Sequence, residues 1–272
     1  MSILQYLEAG PPGASRAGLR GASNSLKGTL ILIHAFPLSA RMWEPQLGLA
    51  EQGWRIVAPQ LRGFGGTPAS SVASSVDEYA ADIIDLLDHL HIENAVVAGL
   101  SLGGYIMFAM FRHAPGYFHG MVLADTRAQP DPPQAIEGRK HMIEAVRARG
   151  TAAAADEMLP KLVCEWTRTH RPEVVARLRE MMLENPSDVV AGAITALMTR
   201  PDSRPLLTTV RCPALVIVGD QDAITPPPMS EEMQQLIPGA ELAVIPDAGH
   251  MSNMEQPERF NSALARFLER RV

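Results

Sequence analysis

The chain has 272 residues, of which 46% are hydrophobic and 20% are charged, and its formal net charge is −6. This length accommodates one large α/β domain with an insertion, and the composition predicts a soluble globular protein with a substantial core. Because Lys and Arg are scattered and the net charge is negative, we expect a small molecule as the partner, and neither nucleic acid nor a membrane.

The N-terminal sequence MSILQYLEAG lacks the basic and apolar regions of a secretion signal, and no apolar run reaches the roughly 18 residues that span a bilayer. We therefore expect a cytoplasmic protein. Residues 11–25, rich in Gly, Ser, Ala and Pro, predict a flexible loop between an N-terminal edge strand and the first central strand. Cys164 and Cys212 are far apart in sequence and have no metal-ligand spacing around them, which favours free thiols.

Six short apolar runs predict strands that are buried on both faces of a parallel sheet. They are TLILI (29–33), RIVA (55–58), AVVA (95–98), MVLA (121–124), ALVIV (214–218) and LAVI (242–245). Between them lie helical patterns, such as residues 77–90 behind a capping box of Ser75 and Glu78, and a last helix begins near Pro257. This alternation predicts an α/β fold with a mostly parallel sheet covered by helices on both faces.

The segment between MVLA and ALVIV is far longer than a single crossover requires. It begins with the turn-rich QPDPP, ends near RPDSRP and shows several helical patterns between them. We interpret residues 127–204 as a helical cap (lid) over the carboxyl edge of the sheet, and residues 1–126 and 205–272 as the core. A subdomain remote from any site is the alternative.

GLSLGG, residues 99–104, lies where the strand AVVA gives way to the apolar run YIMFAMF. A strand that enters a GxSxG sequence and a helix that leaves it together lift the serine hydroxyl clear of the sheet, so Ser101 is the candidate nucleophile. Gly99 and Gly103 would let the strand and the helix approach closely. The alternative interpretation is a serine N-cap in an ordinary turn.

A serine nucleophile requires a general base on another loop of the same sheet edge. Of the eight histidines, His250 leaves the last strand on a short loop, and His34, at the end of the first central strand, is its competitor. The loop VGDQDAITPP supplies an acid to orient the base. We favour Asp222 over Asp220 there, with Asp125 after MVLA as the alternative.

Charge that develops on a carbonyl oxygen during acyl transfer needs two N–H donors aimed at it. One candidate is the backbone N–H of Leu102, which directly follows the nucleophile. The other is the backbone N–H of Phe36 in the loop HAFPLS after TLILI. In this interpretation His34 braces that loop and is not catalytic.

Motifs along the whole chain resemble the α/β-hydrolase fold family of serine hydrolases. They are HAFPLS with MW (42–43), LRGFG (61–65), GLSLGG, GDQDAITPP and DAGHMSNMEQPERF (247–260). GLSLGGY, LADTRAQPD and HMSNMEQP are similar to bacterial carboxylesterases and 3-oxoadipate enol-lactonases, and less closely to haloperoxidase- or perhydrolase-like esterases. Ala35 and Gln60 depart from the family pattern, which usually has glycine and aspartate there.

The resemblance implies the α/β-hydrolase fold with a helical cap inserted after the sixth strand of the family. It also implies an acyl-enzyme mechanism that uses neither a metal nor an organic cofactor. In the family order Ser, Asp, His it assigns the nucleophile to Ser101, the acid to Asp222 and the base to His250. The oxyanion hole is assigned to Phe36 and Leu102.

We predict a carboxylesterase that acts on small, uncharged acyl esters. Apolar side chains of the cap would line the acyl pocket or form the core of the cap, and the pocket candidates are Trp166, Met142, Leu162 and Met198. The main alternative is an enol-lactonase, whose substrate carries a free carboxylate and requires a cation. The cation candidates are Arg127, Arg139, Lys140 and Arg168. A binding protein that has lost turnover is a further alternative.

Overall fold

In the computed structural model, which describes residues 3–12, 26–67 and 71–272, the described strands form one seven-stranded sheet. The strands are β1 (Tyr6–Ala9), β2 (Gly28–Ile33), β3 (Trp54–Pro59), β4 (Ala95–Leu100), β5 (Phe118–Ala124), β6 (Ala214–Gly219) and β7 (Glu241–Ile245). Their spatial order is β1-β3-β2-β4-β5-β6-β7. β1 pairs antiparallel with β3 at one edge, and the remaining pairs are parallel. The six predicted strands and the N-terminal edge strand are confirmed, but LAVI forms the opposite edge of the sheet as β7, where Val244 is 46% exposed, and is not buried on both faces as predicted.

Helices connect the strands, as the alternating pattern predicts. A 3₁₀ helix spans Ala40–Gln52, and a short 3₁₀ turn spans Pro115–Tyr117. The α-helices are α1 (Val76–His89), α2 (Leu102–His113), α3 (Pro133–Arg149), α4 (Ala152–Leu162), α5 (Glu165–His170), α6 (Pro172–Leu183), α7 (Ser187–Thr199), α8 (Arg204–Leu207), α9 (Pro227–Leu236), α10 (Ser252–Glu255) and α11 (Pro257–Arg271). Among the residues described, no helix combines the length and apolar character needed to cross a membrane.

The five inner strands, β2 to β6, are largely buried on both faces of the sheet. Successive side chains of a strand point to opposite faces, and accordingly Ile31 and Ile33 belong to one buried apolar cluster whereas Leu30 and Leu32 belong to another. α1 and α2 contribute to the first cluster and α11 to the second. The double covering explains why the central strands are continuous apolar runs without alternation.

Local signals in the sequence set the ends of two helices. At the start of α1, the Ser75 hydroxyl accepts the N–H of Glu78, and the Glu78 carboxylate accepts the N–H of Ser75, so the predicted capping box is confirmed. α11 begins with Pro257 at a first-turn position, where a missing N–H costs no helical hydrogen bond.

The insertion, residues 127–204, runs between β5 and β6 and contains α3 to α7. Within it, α3 packs against α7 and α4 packs against α6, so these helices bury one another. The division into a core and a cap stays a prediction. Of the predicted loop over residues 11–25, residues 13–25 lie outside the described chain.

Candidate active site

Ser101 occupies a strained turn between β4 and α2. Its φ of 53° and ψ of −112° place a non-glycine residue in a sparsely populated region, a strain that folded proteins concentrate at functional sites. The turn is held by the Ser101 N–H, which donates to Ala124 O at 3.0 Å. A Cβ on Gly99 would lie 2.3 Å from the Gly103 backbone, so the predicted close approach of strand and helix is confirmed.

His250 and Asp222 form a buried pair, since Nδ1 of His250 lies 2.8 Å from Oδ2 of Asp222. Burial would raise the pKa of Asp222, but the His250 imidazole and the N–H and hydroxyl of Thr225 hold that pKa below its usual range. An ionised carboxylate only accepts hydrogen bonds, so in a neutral His250 imidazole the proton lies on Nδ1 and Nε2 is the acceptor. Asp220, the neighbouring acid, instead accepts the N–H of Ala248 at 3.2 Å.

A cavity of about 60 Å³ joins the candidate nucleophile to the candidate base. Its lining consists of Phe36, Ser101, Tyr105, Arg127, Arg139, Met158, Leu197, Ile224, Thr225 and His250. Ligand pockets commonly enclose about 300–1,000 Å³, so only a small substrate fits here without movement of the insertion. A larger groove of about 590 Å³ lies between β7 and α11, but its described lining includes no histidine to serve as a base.

Both ring nitrogens of His34 form hydrogen bonds with backbone groups. Its Nδ1 lies 2.9 Å from the carbonyl of Ala35, and its Nε2 accepts the N–H of Leu61 at 3.1 Å. Burial lowers the pKa of His34 to about 4, partly offset by the Ala35 carbonyl, so the ring is neutral at neutral pH. His34 therefore braces the loop of Phe36, as predicted.

The two candidate oxyanion donors come from different elements. Phe36 lines the cavity beside Ser101. Leu102 is the buried first residue of α2, and the first N–H groups of a helix have no intrahelical acceptor. Their assignment to an oxyanion hole belongs to the proposal below.

Asp125, the alternative acid, is engaged elsewhere. It is fully buried at the end of β5, where its carboxyl group contacts the N–H of Gly219 at 2.8 Å and the hydroxyl of Ser252. Burial and the charge of Asp222 raise the pKa of Asp125 well above its usual range, although the contacts with Ser252 and Gly219 oppose this shift. The structure thus pairs His250 with Asp222, while Asp125 supports the surrounding loops.

The four predicted pocket side chains lie outside the lining of the cavity. Met142 and Leu162 are buried in the apolar clusters between helices and sheet. Trp166 is 45% exposed and stacks on His170, with ring centroids 5.0 Å apart. Met198 is half-buried beside Leu197, which does line the cavity. The apolar side chains that the insertion contributes to the lining are instead Met158 and Leu197, because the packing of the helices decides which side chains face the cavity.

The cation candidates separate into two pairs. Arg127 and Arg139 line the cavity next to Ser101. Lys140 forms an exposed ion pair with Glu137, and Arg168 forms one with Glu165. Lys140 and Arg168 therefore belong to solvent-exposed helix faces.

A cluster of arginines surrounds one buried acid at the wall of the cavity. Asp131 accepts hydrogen bonds from Arg127, Arg139 and Arg200, and Arg200 also lies 4.2 Å from the centre of the Tyr105 ring. Burial would raise the pKa of Asp131, but the hydrogen bonds and charges of Arg200 and Arg139 lower it to about 2. The cluster of three guanidinium groups and one carboxylate therefore carries a net charge of +2. Sequence reasoning missed Asp131 because QPDPP predicted only a turn.

Comparison with known proteins gives relatives over nearly the whole chain. A sequence profile of the alpha/beta hydrolase fold matches residues 28–257. A thermophilic esterase from Thermogutta terrifontis, solved with malate bound, is 38% identical with a TM-score of 0.89, and the match covers 98% of this chain and 93% of that chain. An enol-lactonase from Burkholderia xenovorans is 26% identical with a TM-score of 0.86, covering 98% and 96%. The 3-oxoadipate enol-lactonase 2 of Acinetobacter baylyi is 28% identical over 241 residues, 89% of this chain and 88% of that protein.

Proposed function

Because the chain belongs to the α/β hydrolase fold family, we propose that it is a serine hydrolase that cleaves small carboxylic esters. The observation that carries this proposal is the single cavity lined by Ser101 and His250, with His250 bonded to an ionised Asp222. These residue types in this arrangement are the nucleophile, base and acid that acyl transfer through a serine requires.

In the proposed reaction, Nε2 of His250 accepts the proton of the Ser101 hydroxyl as Oγ attacks the carbonyl carbon of the ester. The oxyanion of the tetrahedral intermediate is bound by the backbone N–H groups of Phe36 and Leu102. The intermediate collapses when His250 protonates the leaving alcohol, and an acyl-enzyme remains on Ser101. Water then attacks the acyl group, giving its proton to His250, and a second tetrahedral intermediate forms. His250 returns this proton to Oγ of Ser101 as the bond from Oγ to the acyl carbon breaks, which releases the acid and restores the free serine. Asp222 stays ionised and stabilises the imidazolium.

The insertion is proposed to act as a cap over this reaction. It supplies Arg139, Met158 and Leu197 to the lining, whereas Ser101 and His250 come from the sheet edge. A wall built from both parts excludes water from the acyl group and limits the size of the substrate.

Covalent labelling tests the proposed nucleophile. We expect a fluorophosphonate probe to modify Ser101, identified by peptide mass spectrometry, and to abolish hydrolysis of p-nitrophenyl butyrate. Ser101→Ala should lose both labelling and hydrolysis, whereas Ser262→Ala, on the exposed face of α11, should keep both. Labelling at another residue, or an unchanged rate in Ser101→Ala, would contradict the proposal.

A lactonase is the second candidate function, and the excess positive charge beside Ser101 favours it. A carboxylate-bearing substrate gains charge-assisted hydrogen bonds from guanidinium groups that an uncharged ester does not. Arg127 and Arg139 therefore shift the expected substrate from uncharged esters towards esters or lactones that carry a free carboxylate. Two likenesses support this shift: the 28% identity to an enol-lactonase that acts on a 3-oxoadipate derivative, and the 38% identity to an esterase solved with malate, a dicarboxylate.

A matched pair of esters tests the second candidate. Monomethyl succinate and methyl 4-methylpentanoate have acyl chains of similar size, but only the succinate ester ends in a carboxylate. We expect a kcat/KM at least tenfold higher for the succinate ester. A further large increase with 3-oxoadipate enol-lactone would identify the lactone as the substrate class. Equal rates for the two esters would count against a carboxylate-bearing substrate.

A further inference from the structure

Glu255 is a fully buried acid whose two oxygens accept hydrogen bonds from separate parts of the chain. Its Oε1 accepts the N–H of Gly249 at 2.8 Å, and its Oε2 accepts the N–H of Cys164 at 2.8 Å. Gly249 directly precedes His250 in the sequence, whereas Cys164 precedes α5 of the insertion. One carboxylate thus joins the loop of the candidate base to the insertion.

Further contacts reinforce the same junction. The N–H of Met251, which directly follows His250, donates to the carbonyl of Leu162 at 3.0 Å. The backbone carbonyl of Glu255 accepts a hydrogen bond from the Arg171 side chain at 2.8 Å. Both chain neighbours of His250 are therefore bonded at this junction, one to Glu255 and one to the end of α4.

The junction is also closely packed. A Cβ on Gly249 would lie 2.7 Å from the backbone nitrogen of Cys164 and 2.9 Å from the carbonyl carbon of Val163. The loop of His250 and the segment 162–164 are therefore in backbone contact, with no room for a side chain between them. The carboxylate of Glu255 lies beside this contact and accepts one N–H from each of the two segments.

We infer that Glu255 is a positioning residue for the proposed reaction. It fixes the loop of His250 to the insertion and thereby keeps the general base at a fixed position relative to the cavity wall. This inference rests on the proposed function. Glu255 accepts backbone N–H groups from both segments of this junction, and it is not part of the cavity lining, so it acts through His250 without touching the substrate. Proton transfer needs the base within about 2.6–3.2 Å of the serine hydroxyl, and a displacement of about 1 Å can cost on the order of 100-fold in rate.

Replacement of Glu255 by glutamine is the direct test. Glutamine keeps the size of the side chain and one acceptor oxygen, but its amide nitrogen is a donor and faces a second N–H donor. For p-nitrophenyl butyrate, we expect Glu255→Gln to lower kcat by about 10- to 100-fold while KM changes less than about threefold. Rates are expressed per active site titrated with the fluorophosphonate, so that a loss of folded protein does not count as a loss of kcat. The control is Glu258→Gln, which removes an exposed carboxylate from the next helix and should keep the wild-type kcat.

The outcomes separate this inference from the proposed function. A Glu255→Gln protein with a lower melting temperature but a kcat per titrated site within twofold of wild type would reduce Glu255 to a structural role and overturn the inference. Absence of labelling at Ser101 in the wild-type protein would instead contradict the proposed function. If Glu255→Gln does not accumulate, Glu255→Asp takes its place, because the shorter carboxylate cannot reach both N–H groups and the same split between kcat and KM is expected.

Discussion

The carboxylate of Asp222 lies 2.8 Å from Nδ1 of His250, and the same carboxylate also accepts the N–H groups of Ile224 and Thr225 and the hydroxyl of Thr225. Together these donors outweigh the desolvation of a buried acid and hold the pKa of Asp222 below its usual range. The acid is consequently charged throughout the neutral range, which fixes the proton of His250 on Nδ1.

Asp222→Asn is expected to abolish most of the activity without unfolding the protein. An asparagine amide at this position donates to Nδ1, which forces the proton onto Nε2 and removes the acceptor that Ser101 needs. We expect kcat for p-nitrophenyl butyrate to fall by about 10⁴-fold. Asp220→Asn is the matched control from the same loop, because the Asp220 side chain accepts the N–H of Ala248 and, among the described residues, forms no hydrogen bond with His250. A loss below about tenfold in Asp222→Asn would show that another acid orients His250.

Asp125→Asn tests whether Asp125 contributes to catalysis as Asp222 is expected to do. Asparagine retains an acceptor for the N–H of Gly219 and provides a donor for the hydroxyl of Ser252, so we expect kcat within about threefold of wild type. The raised pKa of Asp125 means that the folded protein binds a proton that the unfolded chain releases, and this acid therefore costs stability as the pH rises above about 4. Relative to wild type, the variant should gain unfolding free energy between pH 4 and pH 8.

Urea unfolding at both pH values, together with kcat, checks this prediction. Asp125→Ala is the informative comparison, because it leaves the buried N–H of Gly219 without its acceptor and should cost about 1–3 kcal/mol. If Asp125→Asn lost as much activity as Asp222→Asn, Asp125 would be a member of the catalytic group.

The sequence predicts those features that depend on local pattern and on sheet geometry. The apolar runs identify buried strands, and the carboxyl ends of parallel strands meet at one edge, which is why Ser101 and His250 could be expected near each other. Side chains of the insertion follow no such rule. Met142 and Met158 are both apolar and both helical, yet only Met158 lines the cavity, because the packing of α3 and α4 sets which face each helix turns inwards.

His34→Gln should change how stability depends on pH. Burial lowers the pKa of His34 to about 4 from an ordinary value of 6.5. Between these values the unfolded chain binds a proton that the folded protein does not, so the unfolding free energy falls as the pH drops through this window. We expect His34 to account for a loss of about 2–3 kcal/mol between pH 7 and pH 4.5.

Glutamine at position 34 keeps an acceptor for the N–H of Leu61 but does not titrate. Chemical unfolding at pH 7 and pH 4.5 should therefore show a smaller fall in stability for His34→Gln than for wild type. Hydrolysis of p-nitrophenyl butyrate at pH 7 should stay within about tenfold, since the ring is not a base in the proposed reaction. An identical pH dependence in both proteins would mean that the folded protein protonates His34 as readily as the unfolded chain does.

Arg139→Gln is expected to change substrate preference and leave the chemistry intact. Arg139 reaches the cavity from the insertion and is held in place by Asp131, but it contacts neither the candidate base nor the candidate acid in the structure. A hydrogen bond to a charged group contributes about 1.5–3 kcal/mol, so KM for monomethyl succinate should rise about 10- to 100-fold. KM for methyl 4-methylpentanoate should stay within about twofold, because that ester offers no anion to bind.

Lys140→Gln is the matched control, since it removes one positive charge from the adjacent position of the same helix, where the side chain pairs with Glu137 outside the cavity. It should leave both KM values unchanged, which separates a contact with the substrate from a general change in the charge of the protein. Equal effects of Arg139→Gln and Lys140→Gln would contradict a carboxylate contact. Because Arg139 is partly exposed at the cavity, the preference of wild type for the succinate ester should also weaken in 0.5 M salt, where the Debye length falls to about 4 Å.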